Sequence, residues 1–100
     1  MTLNGIEIPR EQIASFCRER GIRRLSFFGS ILRTDFGPAS DIDVLVEFQP
    51  GIRVGLSFAR MQNELSRIFG RKVDLNTPGF LSDYFRDEVL AEAEVLYAAP

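Results

Sequence analysis

Two aspartates, Asp41 and Asp43, open the segment DIDVLVEF, whose alternation of apolar and polar residues is that of a β-strand. Residues at i and i+2 of a strand point to the same face. Aspartate is depleted from strands, and two carboxylates roughly 5 Å apart at an effective dielectric near 20 repel by about 3 kcal/mol. A divalent cation offsets that cost, and hard oxygen ligands completed by substrate phosphates point to magnesium. Upstream, a second apolar run, RRLSFF, breaks at Gly29-Ser30. Glycine lets the backbone approach a ligand closely, the neighbouring N–H groups face outward, and the Ser30 hydroxyl adds a donor, so this turn is a candidate phosphate grip.

Gly29-Ser30, ten intervening residues and then Asp41-Ile42-Asp43 resemble the signature of the polymerase-beta-like nucleotidyltransferase superfamily. Arg33 sits where the smallest members often carry an arginine, and Ser40 directly precedes the pair, as is common there. The later segment RKVDLN is similar to the strand in which that family keeps a third carboxylate, here Asp74. The resemblance covers nearly the whole chain and is to the minimal, MNT-type members, many of which are antitoxins paired with HEPN-domain ribonuclease toxins. One departure concerns the loop from Thr34 to Ala39. Small relatives often have glycine after the arginine, whereas here Thr34-Asp35 follows and the next glycine is Gly37, which leaves the shape of that loop open.

The resemblance implies an α/β fold with a mixed central sheet flanked by helices, ATP as nucleotide donor and two Mg2+ ions. Asp41 and Asp43 would bridge both ions, and Asp74 would complete the site of the activating ion and help to remove the proton of the attacking hydroxyl. Gly29 and Ser30 would hold the β- and γ-phosphates, with Arg33 adding charge on them. A HEPN toxin is the implied partner, silenced by AMP placed on a tyrosine near its ribonuclease site. Two other outcomes stay open: transfer to a small-molecule hydroxyl, and a non-catalytic antitoxin that masks its toxin by binding.

Composition sets the outer bounds. One hundred residues, 45% of them hydrophobic, predict a single globular domain over residues 1–100, with one modest core. A net charge of -2 provides no strong general attraction for nucleic acid. The basic stretch RERGIRR, residues 18 to 24, reads as a solvated face. With no histidine and one cysteine, zinc catalysis and Ser-His or Cys-His mechanisms are excluded, so carboxylates must carry the chemistry. Cys17 reads as a small core residue without a disulfide partner, in keeping with a reducing compartment. No apolar run approaches the length of about 20 residues that spans a membrane, and MTLNGIEIPRE lacks the blocks of a signal peptide, so a cytoplasmic location is expected.

The elements that must position these residues follow from periodicity. A first helix is predicted over Pro9 to Arg20 with Ile13, Phe16 and Cys17 on one face, then a strand over Arg24 to Phe28, and a short helix from Ser30 to Arg33. The Asp strand covers Asp41 to Phe48, with Ile42, Val44, Val46 and Phe48 on its apolar face. Leu45 lies on the carboxylate face beyond the pair, so only the first part of that face is expected to meet ligand. Val54, Phe58, Met61, Leu65, Ile68 and Phe69 form a core stripe on a helix ending at Gly70. A strand over Lys72 to Asn76 carries Asp74. A last helix from Leu81 to Ala93 is expected to bury Leu81, Phe85 and Val89 and to turn Asp83, Asp87 and Glu88 to solvent. The tail VLYAAP fits a helix end or an edge strand equally well.

Overall fold

The computed structural model describes residues 2–100; Met1, counted above within the 1–100 domain, lies outside them. The N-terminus is a hairpin that the sequence reading did not anticipate, β1 (Thr2–Leu3) and β2 (Ile6–Glu7). Its turn is Asn4-Gly5, with φ of 49° and 78°. Asn-Gly is the pair best suited to two successive positive φ values in a two-residue hairpin loop, so the signal was present. The Asn4 side chain then reaches across to donate to the carbonyls of Ile31 (2.6 Å) and Arg33 (2.9 Å).

Helix α1 (Arg10–Glu19) follows and buries Ile13, Phe16 and Cys17. Strand β3 (Ile22–Phe28) begins two residues earlier than its sequence pattern indicated, and the expected short helix follows it as a 3-10 helix, Gly29–Leu32, one residue earlier than its pattern indicated. Strand β4 (Ile42–Phe48) begins one residue after Asp41. Helix α2 (Ser57–Phe69) buries Met61, Leu65 and Phe69, and Gly70 closes it with φ 67°. Strand β5 (Val73–Asn76), a 3-10 turn at Pro78–Phe80, helix α3 (Asp83–Glu92) and strand β6 (Glu94–Ala98) complete the chain. The tail is therefore a strand.

The main sheet has the order β5-β4-β3-β6, with β4 and β5 parallel and the other pairs antiparallel. This is the mixed sheet flanked by helices that the resemblance implied. Register makes the two faces distinct. Leu25 and Phe27 of β3, Ile42, Val44 and Val46 of β4, and Val73 and Leu75 of β5 are buried in one cluster with the apolar sides of α1 and α2. The opposite face carries Phe28, Asp43, Leu45, Asp74 and Asn76, and over it lies α3.

Helix α3 departs from expectation. None of its residues is buried, and Phe85 is 56% exposed. Leu81, Phe85 and Val89 are not core; they form the wall of a cavity. A helical apolar stripe has the same period whether it meets other side chains or an open cleft, so the pattern could not separate the two. Asp83 and Asp87 are exposed as expected, whereas Glu88 is exposed and also borders the cavity.

In the basic stretch Arg18, Arg23 and Arg24 are exposed, as expected of a solvated face, and Arg20 is half-buried. Arg20 pairs with Glu64 and stacks over Phe16, and Arg23 and Arg24 both pair with Glu47. Burial pushes the Cys17 thiol up to about 12, which makes it unreactive. Among the described residues no helix is long and apolar enough to cross a membrane.

Candidate functional site

The site is built where β3, β4 and β5 end side by side. Asp43 is paired in register with Asp74 on its parallel neighbour and with Phe28 on its antiparallel one. Neighbouring strands lie about 4.8 Å apart, so the Asp43 and Asp74 side chains rise next to each other from one face. The sequence placed them about thirty residues apart; the parallel pairing of β4 with β5 brings them together. Gly29, the residue after Phe28, has φ 74° and packs directly on the Asp43 carboxylate, so that a Cβ there would collide with Oδ2 and come within 3.1 Å of Cγ. The Gly-Ser turn thus touches the acidic pair as well as lying near it.

Two polar side chains of α2 hold Asp74 in place. The Ser66 hydroxyl accepts the amide of Val73 (3.0 Å), and Gln62 Oε1 accepts the amide of Leu75 (2.9 Å). The outward N–H groups on either side of Asp74 on this edge strand are thereby satisfied, which rigidifies the carbon from which its carboxylate projects. Neither residue stood out in the sequence, because Ser and Gln on a helix face read as solvated positions.

The loop before Asp41 is ordered by Arg71. Its guanidinium donates to the carbonyls of Ser40 (Nε, 3.0 Å) and Gly37, and lies 4.3 Å from the centre of the Phe36 ring. Ser40 and Gly37 close the loop on themselves, the Gly37 amide donating to Ser40 Oγ and the Ser40 amide to the Gly37 carbonyl, both at 3.0 Å. The shape left open by Thr34-Asp35 is set by an arginine thirty-odd residues downstream. Ser40 accordingly has a structural role.

A cavity of about 430 Å³ lies over the carboxylate face, within the range of pockets that take a nucleotide-sized ligand. Phe28, Gly29, Asp74 and Asn76 form its floor, Arg33 one side, and the inner surface of α3 the other. Gly29, Arg33 and Asp74 are therefore brought together at one cavity. Ser30 is half-buried in the 3-10 turn, where its carbonyl accepts the Arg33 amide at 2.9 Å. Arg33 reaches Asp35 (3.5 Å) and Glu92 (3.9 Å).

Burial, followed by the charges of Asp74, Asp41 and Glu92, pushes the Asp43 carboxyl up to about 6, with Arg33 opposing. An acid raised by partial burial among like charges is the electrostatic signature of a site that lacks a positive partner. The donor set, hard carboxylate oxygens carrying an excess of negative charge, fits a divalent cation such as Mg2+. Asp41 stands apart from the other two: it precedes the strand, and its carboxylate is turned to Lys72 Nζ at 3.6 Å. Among the described residues no three acidic, histidine or cysteine side chains are arranged to hold a metal ion together.

The sequence reading missed Glu92. Its Oε1 accepts the Gly29 amide at 3.2 Å across 63 residues of chain. A weak signal existed, since a glutamate closing a helix stands against the negative end of the helix dipole and needs a reason to be there.

Comparison with known proteins bears on the family and the fold. A family model described as "Nucleotidyltransferase domain" matches residues 10–96. A Methanocaldococcus jannaschii protein that carries the name protein adenylyltransferase is 36% identical over 91 residues, covering 91% of this chain and 96% of that one. The protein adenylyltransferase MntA of Thermococcus cleftensis is 33% identical over 93 residues, covering 92% and 93%. A solved structure described as a minimal nucleotidyltransferase superposes with a TM-score of 0.71 at 35% identity, covering 85% of this chain and 86% of that one. A toxin-antitoxin complex with AMP-PNP shares the fold, with a TM-score of 0.74 at 18% identity over 92% of this chain and 75% of that one.

Proposed function

The chain belongs to the nucleotidyltransferase domain family, and from that premise we propose that it is a protein adenylyltransferase of the antitoxin kind, its 100 residues forming one catalytic domain that moves AMP from ATP to a tyrosine of a HEPN-domain toxin. The observation that carries this reading is the in-register pairing of Asp43 with Asp74 beneath Gly29, beside a cavity lined by Asp74, Gly29 and Arg33. Relatives above 30% identity over nine-tenths of both chains bear the name protein adenylyltransferase, which supports the acceptor class. One distant fold neighbour is a complex of an AMPylated Shewanella oneidensis HEPN toxin with its MNT antitoxin, which motivates the choice of partner.

In the proposed reaction a bond forms between the tyrosine oxygen and the α-phosphorus of ATP, the bond from that phosphorus to the bridging oxygen breaks, and pyrophosphate leaves. Gly29, Ser30 and Arg33 hold the β- and γ-phosphates, the first two through backbone N–H and hydroxyl donors and the last by charge. Asp74, at the open side of the acidic pair, takes the hydroxyl proton. Asp41, Asp43 and Asp74 are the residues that would hold Mg2+, Asp41 by turning from Lys72. Bound magnesium supplies positive charge that polarises the phosphate oxygens and stabilises the pyrophosphate formed. AMP on a tyrosine adds bulk and negative charge to the toxin.

Intact-mass measurement of a co-expressed neighbouring HEPN protein tests the reading: a gain of one or more AMP masses on a tyrosine is expected, and an unmodified partner in a stable complex would reject transfer in favour of masking. Asp74→Asn sharpens the distinction. It should leave the complex intact in a pull-down while losing growth rescue, because a carboxylate on the cavity floor is a poor docking residue; full rescue by the variant would refute catalysis.

Ligand binding gives a second check. Because ATP with magnesium binds only the folded state, a hundredfold excess over Kd should add about 2.7 kcal/mol, roughly 10 °C or more in Tm for a domain of this size. A melting curve indifferent to both would reject the nucleotide site.

A further inference from the structure

The two groups to which phosphate was assigned, the Gly29 amide and the Arg33 guanidinium, already share an anion. Glu92 Oε1 accepts the Gly29 N–H at 3.2 Å, and Oε2 lies 3.9 Å from Arg33 Nη1. We propose that Glu92 is a latch: its carboxylate stands in for a phosphate, holds α3 against the grip, and must be displaced by the phosphates of the incoming nucleotide. The inference rests on the phosphate role of Gly29 and Arg33 and adds to it a regulation of the same site.

Three features support a latch over a fixed strut. Glu92 is otherwise badly placed, because it closes α3 at the negative end of the helix dipole and adds to the like charges around Asp43. What holds it is the pair of donors that phosphate would use. Helix α3 is lightly held, since no residue of it is buried, its apolar side faces the cavity, and the side-chain bonds of Arg86 run to Pro78 and Leu81 just upstream of the helix, away from Glu92. The chain beyond is anchored: Ala93 leaves the helix with ψ 136°, and Glu94 is already paired with Phe27 in the sheet. Glu92 thus sits beside a natural hinge, where turning its side chain or loosening the last turn of α3 frees Gly29 and Arg33 together.

A site that is competent only when the latch is open binds with its affinity reduced by the open fraction. If the latch is closed nine times in ten, removing it tightens phosphate binding about tenfold. The test is calorimetric titration with inorganic tripolyphosphate and with ATP, each with and without magnesium, on the wild type, Glu92→Gln, Glu92→Ala and Asp87→Asn. Asp87 is exposed one turn earlier on α3, so its neutralisation controls for bulk charge. Both Glu92 variants should bind tripolyphosphate and ATP about tenfold more tightly, and their α3 amides should exchange hydrogen faster, while Asp87→Asn stays near the wild type.

Wild-type binding with no tightening in either Glu92 variant would overturn the latch alone. Equal tightening by Asp87→Asn would reduce the effect to net charge and overturn it as well. Weaker nucleotide binding by the Glu92 variants in magnesium would make Glu92 a ligand-holding group instead. If neither the wild type nor any variant binds tripolyphosphate or ATP, the phosphate reading of the site falls, and the latch with it. Glu92 is 44% exposed at a helix end, so both substitutions are compatible with folding, and unchanged ellipticity confirms that each variant is scored as a folded protein.

Discussion

Asp43→Asn should lose AMP transfer by at least about a thousandfold and yet melt at a higher temperature than the wild type at neutral pH. Loss of activity follows from removing the carboxylate that lies in register with Asp74 and against Gly29. The stability gain follows from linkage. In the folded protein the Asp43 carboxyl is raised from 3.8 to about 6, so the native state binds this proton more tightly than the unfolded chain does. Stability must then fall as pH rises from about 4 through about 6, and the full cost is present at pH 7. The opposite behaviour, stability lost on acidification, belongs to carboxylates lowered by a partner. Asparagine cannot ionise, so the variant escapes the cost, on the order of 1 kcal/mol once solvent screening of this part-exposed group is allowed for.

The checks are thermal melts at pH 4.5 and 7.5 beside a transfer assay. The gap between variant and wild type should be present at pH 7.5 and shrink at pH 4.5. Magnesium with ATP should raise the wild type and leave the variant nearly unmoved. A variant that keeps magnesium-dependent transfer would sink the metal role of Asp43, and a variant less stable at pH 7.5 would show that the carboxylate is compensated in the folded state.

The parts of this site that were legible in the sequence are those encoded by local alternation. Asp43 and Asp74 each sit between apolar residues, Ile42 and Val44 in one case, Val73 and Leu75 in the other, so burying the flanks forces both carboxylates to the opposite face. The glycine at the end of β3 was visible because it interrupts an apolar run. The parts that were not legible depend on what comes to lie opposite. Leu81, Phe85 and Val89 carry a core-like period, and the cleft that they face turns that stripe into a cavity wall. Arg71 reaches back to Gly37 and Ser40, Gln62 and Ser66 serve the edge of β5, and Glu92 meets Gly29. Each of these contacts joins residues whose types are unremarkable alone. Asn4-Gly5 is a different case: its hairpin signal is local and strong, but strands of two residues are too short to show alternation.

Gly29→Ala should be nearly as damaging to activity as loss of Asp43, and by a mechanism that can be separated from backbone strain. Two costs combine at this position. At φ 74° a Cβ costs roughly 1–2 kcal/mol wherever it occurs among L-residues. The added methyl also enters the Asp43 carboxylate, with Cγ at 3.1 Å and Cβ at 3.3 Å, and overpacking of that kind costs about 1–3 kcal/mol more. Gly51 isolates the first cost, because its φ is 86° and nothing lies within 4 Å of its hypothetical Cβ. Gly51→Ala should therefore be destabilised by the strain alone and keep full transfer activity. Gly29→Ala should be destabilised by the sum and lose transfer by about a hundredfold or more, since Asp43 must shift its carboxylate to make room for the methyl. In an Asp43→Ala background the carboxylate is gone and only the Cβ contact at 3.3 Å remains, so the same Gly29→Ala change should cost clearly less than in the wild type and approach the cost of Gly51→Ala. That coupling, measured by denaturant unfolding of the four proteins of the cycle, is the decisive quantity. Equal costs of Gly29→Ala with and without the Asp43 carboxylate would mean that the turn and the acidic pair are merely adjacent. An active Gly29→Ala protein would mean that the close packing of glycine on carboxylate is not what aims Asp43 at its ligand.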